Sequence, residues 1–366
     1  MERRFVCSKE VTLSQQVADD EKYLISKILI EGRLCGSDLM LLSDMSKHGS
    51  LRQLDMHGVT ELDTDDLEED GSMDCYPFYD NDRIEEVSLP NVSSIDYPMF
   101  YYCKNLKCIE IPDTVKQFCD VFLFHCPNVE EIYVPGDLRI DYDGRYQSDN
   151  CFAGSGKLFI SDFDGWPEKE EDTPDSFFTY DGVLYENDVC GISLHRYPAG
   201  DERTEFVIPE GVANIEENAF NGNLFLRKII IPKSVRNIEE DSIVGCSNLE
   251  TLIFMNDKFG MFSCKDAMYA YSINPSGLNG SPRLKDVYLY ADDPNEFEFG
   301  IFEGLENIGD ITLHVPCFCA AKYRNQEVEF CKFPNSQDKR KVKVWRRFKN
   351  IEEFDPIDFL EELNEG

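Results

Sequence analysis

A repeat of about 23 residues runs through this chain of 366 residues. Residues 108–130 read CIEIPDTVKQFCDVFLFHCPNVE, residues 205–227 read EFVIPEGVANIEENAFNGNLFLR, and residues 228–250 read KIIIPKSVRNIEEDSIVGCSNLE. Each of the three begins with a short apolar run that ends in an Ile-Pro pair. A unit this small has one apolar side and cannot bury it alone, so such units stack on their neighbours. The repeat therefore predicts a solenoid.

The first residues of each unit indicate a short strand. The run from Lys228 to Ile231 is β-branched, and Pro232 ends it because proline cannot donate a ladder hydrogen bond. The segment after the strand, such as Glu216 to Phe220, is typical of an irregular or 3-10 turn on the opposite side. Stacked units then form one parallel sheet in which strands follow chain order. The predicted strands lie near 86–89, 108–111, 131–134, 205–208, 228–231, 251–254, 286–289 and 311–315.

The repeat also predicts the organisation of the chain. Residues 1–83 are predicted to be an amino-terminal cap, and 84–316 the solenoid, with inserts at 136–204 and 255–283. Residues 317–366 are predicted to be a carboxy-terminal cap with an acidic tail, which we expect to be frayed from residue 355 onward.

Three of the fourteen cysteines recur at one position of the repeat. Cys103, Cys126 and Cys246 each lie three residues before the apolar residue that closes a unit. A periodic position is a packing position, so we expect buried, reduced thiols there rather than a reactive or metal-binding group. The chain has no Cys-x-x-Cys pair.

The full period, Ile-Pro-x-x-Val-x-x-Ile-x-x-x-Ala-Phe-x-x-Cys-x-x-Leu, resembles the BspA-like leucine-rich repeat of Bacteroidales and related bacteria. Further similarity lies in the run from Asp181 to Tyr185 and in Leu-x-Val-Pro at 313–316 with Trp-x-x-Phe-x-x-Ile at 345–351. The resemblance covers about residues 22–354. It implies a right-handed leucine-rich repeat solenoid of the α/β type. It also implies a surface-exposed or secreted protein that takes part in adhesion or host contact and has no enzymatic activity.

Charge limits the partners. The chain has 71 Asp and Glu against 36 Lys and Arg, a formal charge of −35, which disfavours nucleic acids and anionic lipid surfaces. We expect a monomer that binds a basic or amphipathic protein, with a glycan as an alternative ligand. No apolar run is long enough for a transmembrane helix, and the amino terminus lacks the apolar core of a signal peptide. If a signal has been removed the resemblance predicts the cell surface or the exterior, and otherwise a cytoplasmic scaffold.

The sequence contains few motifs that are typical of catalysis, cofactor binding or metal binding. Phosphate-binding, dinucleotide-binding, zinc-protease and nucleophile-elbow motifs are absent. We therefore expect no catalytic residue, no cofactor and no metal. Asp141-Tyr142-Asp143-Gly144, with Asp137 and Asp149, has the oxygen ligands of a Ca²⁺ site but not the spacing of an EF-hand loop, so a solvated turn is the preferred interpretation.

The remaining candidate site is the outer face of the sheet. Side chains alternate along a strand, so one position per unit points outward between two that point into the core. Outward apolar and aromatic residues are unusual on a solvent-facing sheet and mark a candidate ligand-binding surface, unless other chain segments cover them. The predicted site residues are Tyr133, Val207, Ile230, Ile253 and Tyr288.

Overall fold

The computed structural model divides the chain into two compact units. Unit 1 comprises Met1–Asn187 and Arg196–Asp201, and unit 2 comprises Asp188–His195 and Glu202–Gly366. The structure describes residues 1–67, 76–119, 121–141, 151–167, 177–188, 191–239, 241–256, 278, 280–295, 297, 299–302, 305–331 and 339–365.

Unit 1 is built from short strands. They are β1 (Glu2–Cys7), β2 (Lys27–Cys35), β3 (Gln53–Asp63), β4 (Glu86–Ser88), β5 (Ser94–Ile95), β6 (Phe100–Tyr101), β7 (Cys108–Glu110), β8 (Gln117–Cys119), β9 (Leu123–Phe124), β10 (Ile132–Val134), β11 (Arg139–Asp141), β12 (Phe159–Ser161), β13 (Phe177–Tyr180) and β14 (Val183–Asp188). Its main sheet, β1-β2-β3-β4-β7, is parallel and follows chain order, as the repeat predicts.

Successive turns of unit 1 pair along three sides. Strands β4, β5 and β6 of one turn pair in parallel with β7, β8 and β9 of the next. The second side continues to β11, and β10 pairs with β12. The structure thus adds short strands to sides for which the sequence indicates only irregular or 3-10 backbone. Strands β13 and β14 form an antiparallel hairpin.

Unit 2 repeats the arrangement with a longer main sheet. Its strands are β15 (Gly191–Arg196), β16 (Glu205–Val207), β17 (Val212–Ile215), β18 (Lys228–Ile231), β19 (Asn237–Ile238), β20 (Thr251–Phe254), β21 (Asp286–Leu289), β22 (Thr312–Pro316), β23 (Val328–Cys331), β24 (Lys339–Val342) and β25 (Asn350–Phe354). The main sheet, β16-β18-β20-β21-β22-β25, is parallel and follows chain order. Strands β15, β17 and β19 pair on another side.

Helices are short and lie mostly near the two ends of the chain. They are α1 (Leu13–Gln16), α2 (Gly36–His48), α3 (Ala320–Asn325) and α4 (Pro356–Glu365), with 3-10 turns at Phe299–Phe302, Ile308–Asp310 and Val344–Arg347. The predicted boundaries at 83 and 316 stay predictions. However, β1, β2 and β3 show that residues before 84 already contribute to the sheet of unit 1.

The core consists of equivalent residues stacked from turn to turn. Ile215 and Ile238 are register partners on β17 and β19, and both are fully buried. Leu226 and Leu249, which close successive units, are also fully buried. Because each inward residue packs on the same residue of the next turn, the stability of a turn depends on its neighbours.

The three periodic cysteines link consecutive turns. Their Sγ atoms donate hydrogen bonds to phenylalanine carbonyls of the preceding turn, at 3.0 Å for Cys103, 3.5 Å for Cys126 and 3.3 Å for Cys246. All three are fully buried and reduced, which confirms the packing role that the repeat predicts. Burial raises the pKa of the Cys103 thiol and raises that of Cys246 to about 12.

The residue that precedes this position has a left-handed backbone in seven described turns. We call it the left-handed position. In unit 1 it is Asp80 (φ 48°), Tyr102 (φ 61°), His125 (φ 52°) and Gly154 (φ 67°), and in unit 2 it is Gly222 (φ 71°), Gly245 (φ 71°) and Gly280 (φ 75°). Glycine adopts this conformation without a steric penalty, whereas tyrosine and histidine adopt it at a steric cost.

Candidate interaction surface

Strand register gathers the outward residues of unit 2 into one row. Val207 pairs with Ile230, Ile230 with Ile253, Ile253 with Tyr288, and Tyr288 with His314. We call these five residues the outward row. Four of them are predicted site residues, and the structure places those four side by side, each on the strand next to that of its neighbour.

Solvent reaches only part of the outward row. Val207 is 54% exposed and Tyr288 is half-buried, but Ile230 is 4% exposed and Ile253 is fully buried. The expectation that Ile230 and Ile253 reach solvent is therefore wrong. Alternation along a strand decides which face a side chain lies on, whereas the packing of other chain segments decides whether that face meets water.

Aromatic rings cover the outward row at Tyr288. The His314 ring stacks on Tyr288 with centroids 4.1 Å apart, and Phe359 of α4 stacks on it at 4.4 Å with an angle of 11° between the planes. Phe354, at the end of β25, contacts both Tyr288 and Tyr290 edge-on. Burial raises the pKa of Tyr290 to about 12. We call these five rings the tail cluster.

The carboxy-terminal tail is ordered. Residues Pro356–Glu365 form α4, whose first turn is capped by Asp355: its carboxylate accepts a hydrogen bond from the Ile357 N–H at 2.9 Å. The expectation of a frayed tail is wrong, because Phe359 anchors the helix on the sheet. Sequence reasoning missed Phe354 and Phe359 as members of the site. The only available signal was two phenylalanines among acidic residues.

Tyr133, the remaining predicted site residue, belongs to unit 1. It is half-buried on β10, and its hydroxyl donates a hydrogen bond to the carboxylate of Asp162, which also accepts one from the Gly136 N–H at 3.0 Å. Burial and the Asp162 carboxylate raise the pKa of Tyr133, and the Tyr133 hydroxyl lowers the pKa of Asp162. Its membership of a common surface with the unit 2 residues stays a prediction.

Charge along the neighbouring outward positions differs between the units. In unit 2, Glu205 pairs with Lys228 at 2.7 Å, and Asp286 accepts a hydrogen bond from His314 at 2.9 Å. In unit 1, burial and then the carboxylates of Glu86, Glu110 and Glu131 raise the pKa of the exposed Cys108. In unit 1, these carboxylates therefore lie close enough to Cys108 to act on its thiol.

Within the described ranges, no three His, Cys, Asp or Glu side chains are grouped as metal ligands. Most of the Asp141–Gly144 motif and its neighbour Asp149 lie outside the described residues, as does most of the 255–283 insert. The described side chains of the candidate surface, apolar and aromatic with paired carboxylates, favour contact with another apolar surface over bond-making chemistry.

A family model described as a BspA type leucine rich repeat region matches the chain in six copies, over residues 71–161 and 199–291. These stretches contain the strand-forming Ile-Pro units whose stacking was described above. The chain belongs to the BspA-type leucine-rich repeat family. Four of the five outward-row residues lie on strands within the matched repeats of this BspA-type protein, with Tyr288 on the last of them, and His314 lies on the following strand β22.

Solved bacterial repeat proteins are similar to this BspA-type chain. A leucine rich cell surface protein from Faecalibacterium prausnitzii A2-165 has 20% identity and a TM-score of 0.49, covering 93% of this chain and 76% of that one. A leucine-rich repeat protein from Eubacterium ventriosum ATCC 27560 has 16% identity and a TM-score of 0.37, with coverages of 81% and 73%. The pneumococcal vaccine antigen PcpA has 14% identity and a TM-score of 0.31, with coverages of 81% and 75%.

A search of curated proteins gave no significant match. Among the described residues, none of the helices has the length and apolar character needed to span a membrane.

Proposed function

We propose that this BspA-type chain is a non-enzymatic binding protein, displayed at the cell surface or secreted, that captures another protein through the outward row of unit 2. The observation that carries the proposal is the outward row itself. It begins at the exposed Val207, passes two isoleucines that are buried, and reaches Tyr288, whose half-buried ring already accepts a phenylalanine from a helix.

Protein rather than glycan is the favoured ligand because of this composition. The parts of the row that reach solvent are an aliphatic side chain at Val207 and an aromatic ring at Tyr288, and aromatic anchors contribute most of the affinity at many protein interfaces. The family match and the cell-surface description of the F. prausnitzii relative support an external location. A glycan ligand and an intracellular scaffold remain the alternatives, and the array experiment below separates the first from protein binding.

The test uses two matched variants of unit 2. Val207 and Leu224 are 54% and 53% exposed, and only Val207 lies in the outward row. Wild type, Val207→Asp and Leu224→Asp are each applied to an array of extracellular proteins and to a glycan array. We expect protein signals that Val207→Asp lowers by about tenfold or more, since a charge now faces an apolar contact, while Leu224→Asp retains them.

Two results would contradict this proposal. One is equal loss of signal in both variants, which would place binding outside the outward row. The other is binding confined to the glycan array. Circular dichroism and thermal melting of both variants must match the wild type, which shows that any loss of signal does not come from unfolding.

A further inference from the structure

The helix α4 has the properties of a ligand that the chain supplies to itself. It follows β25 directly and folds back so that Phe359 stacks on Tyr288 at 4.4 Å, with Phe354 against the edges of both rings. Grooves of many proteins recognise an amphipathic helix by receiving its apolar side chains, and Phe359 is the side chain of α4 that is received here.

The sequence of α4 makes it a weak helix. It has ten residues, and isolated helices shorter than about 12–15 residues are marginal in water. Glu361, Glu362 and Glu365 lie in its last turns, where the helix dipole disfavours negative charge. Packing on the sheet, rather than helix propensity, therefore holds α4 in place.

That packing is incomplete. Ile357 of α4 is 69% exposed and Leu360 is half-buried, so the apolar residues of the helix are only partly used. On the sheet, the outward row reaches the exposed Val207 three strands beyond Tyr288, with the buried Ile253 and Ile230 between them. The ring contacts between α4 and the rest of the tail cluster thus come from a single anchor, Phe359.

The charges around the tail cluster do not suit α4. The exposed Glu352 is the register partner of His314 in the row, and Asp286 hydrogen-bonds to the same histidine. Asp355, Asp358 and Glu361 of the tail add further negative charge. A helix with the same anchor but basic residues would gain electrostatic attraction where α4 meets repulsion.

We propose that the tail cluster forms a docking groove for a basic amphipathic helix of a partner protein, and that α4 is its displaceable internal occupant. This inference rests on the proposed function and specifies its partner. An aromatic residue of the partner helix replaces Phe359 on Tyr288. Binding in wild type includes the cost of displacing α4.

The test displaces α4 from the groove by substitutions in the 366-residue chain. Phe359→Ala removes the anchor from the tail, and Glu361→Pro, a second host variant, breaks the helix without altering the sheet. The probe is a fluorescent peptide of residues 355–366 in which Glu361, Glu362 and Glu365 are replaced by lysine. Control peptides are the unchanged acidic sequence and the lysine peptide with Phe359→Ala. Affinity is measured by fluorescence anisotropy.

We expect saturable binding of the lysine peptide to both host variants, and binding to wild type that is about tenfold or more weaker because the tail competes. Loss of the peptide phenylalanine should weaken binding about tenfold or more. Raising the salt concentration from ~0.05 to ~0.5 M should weaken the lysine peptide and not the acidic one.

The proposal is overturned if neither host variant binds the lysine peptide, or if the peptide lacking phenylalanine binds equally well. Dimerisation of a host variant without peptide, measured by light scattering, would instead assign the groove to the tail of a second copy. If the lysine peptide binds but Val207→Asp does not change the array signals, the docking groove is supported and the proposed function is contradicted. If Val207→Asp lowers the array signals but the lysine peptide does not bind, only the docking groove is contradicted.

Discussion

Units 1 and 2 fill the left-handed position differently. Unit 2 uses Gly222, Gly245 and Gly280, whereas unit 1 uses Asp80, Tyr102 and His125 before a single glycine, Gly154. A left-handed conformation costs a non-glycine residue roughly 1–2 kcal/mol. Unit 1 therefore accepts a backbone cost that unit 2 avoids.

Ring stacking offsets that cost in unit 1. The rings of Tyr102 and His125 are parallel to within 9° at 5.0 Å, and Tyr102 also contacts Tyr79, Tyr101 and Phe124. Such aromatic pairs contribute about 0.5–1.5 kcal/mol each beyond their buried area. The comparison teaches that the repeat specifies a backbone conformation at this position, and that glycine is one of two ways to stabilise it.

The largest effect is expected from a charge placed among the buried residues that stack from turn to turn. Ile238→Asp places an unpaired carboxylate against Ile215 in a fully buried column, and should lower the free energy of unfolding by ~3–5 kcal/mol. Denaturant titration measures this. Ile357→Asp, at an exposed site, is the control and should change stability little. An unchanged unfolding midpoint in Ile238→Asp would contradict the register.

A steric clash between Gly154 and His125, two residues at the left-handed position of unit 1, should have the next largest effect. A Cβ on Gly154 would lie 2.5 Å from His125 Nδ1, at a residue whose φ is 67°. Gly154→Ala should therefore destabilise the protein by about 2 kcal/mol or more. Adding His125→Gly removes the clash partner, so the double variant should lose less than the sum of the two single changes. Additive losses would show that His125 does not limit the space at Gly154.

Acid should weaken unit 1 through His125. Burial, and then the charge of Lys104, lower the pKa of His125 from 6.5 to about 4. The unfolded chain thus binds a proton below pH 6.5 that the folded chain binds only near pH 4, so stability falls as the pH drops through this window. With solvent screening at a half-buried ring, the loss by pH 4 is about 1–2 kcal/mol.

The variant His125→Asn separates this loss from the titration of carboxylates. Asparagine tolerates the left-handed backbone and does not titrate. Denaturant titrations at pH 7 and pH 4 should show a larger drop for wild type than for His125→Asn. Equal drops would mean that the ring is as easily protonated in the folded chain as in the unfolded one.

The smallest effect is expected in unit 2. A Cβ on Gly245 would meet the Gly222 nitrogen at 3.3 Å, at φ 71°, so Gly245→Ala should cost about 1–2 kcal/mol from backbone strain. The matched control is Gly309→Ala, where nothing lies within 4 Å of the added atom. Thermal melting should separate the two variants. If they melted alike, the left-handed position would be unimportant in unit 2.

The main-sheet fold could be predicted from sequence because each unit carries its own signal. The β-branched run before Pro232 predicts a strand at 228–231, and the structure has β18 at Lys228–Ile231. The Ile-Pro spacing predicts register, and Ile215 does pair with Ile238. The glycine spacing between Gly222 and Gly245 could have revealed the left-handed position, but Tyr102 and His125 occupy it in unit 1 and hide the pattern.

The candidate site was predictable only in part. Strand alternation correctly placed Val207, Ile230, Ile253 and Tyr288 in one row, because that depends on local geometry. It could not show that Ile230 and Ile253 are buried. The contact between Phe359 and Tyr288 joins residues about 70 positions apart in sequence, and an acidic helix of this length has no propensity signal that would indicate its docking surface.

The buried thiols give each unit a natural reporter of local opening. An alkylating reagent reaches Cys103, Cys126 or Cys246 only when the hydrogen bond from Sγ to the previous turn breaks, whereas Cys108 and Cys317 are exposed in the folded chain. Cys103 and Cys126 lie in unit 1 and Cys246 in unit 2. Labelling rates read by mass spectrometry would therefore time the opening of each unit separately, with no introduced probe.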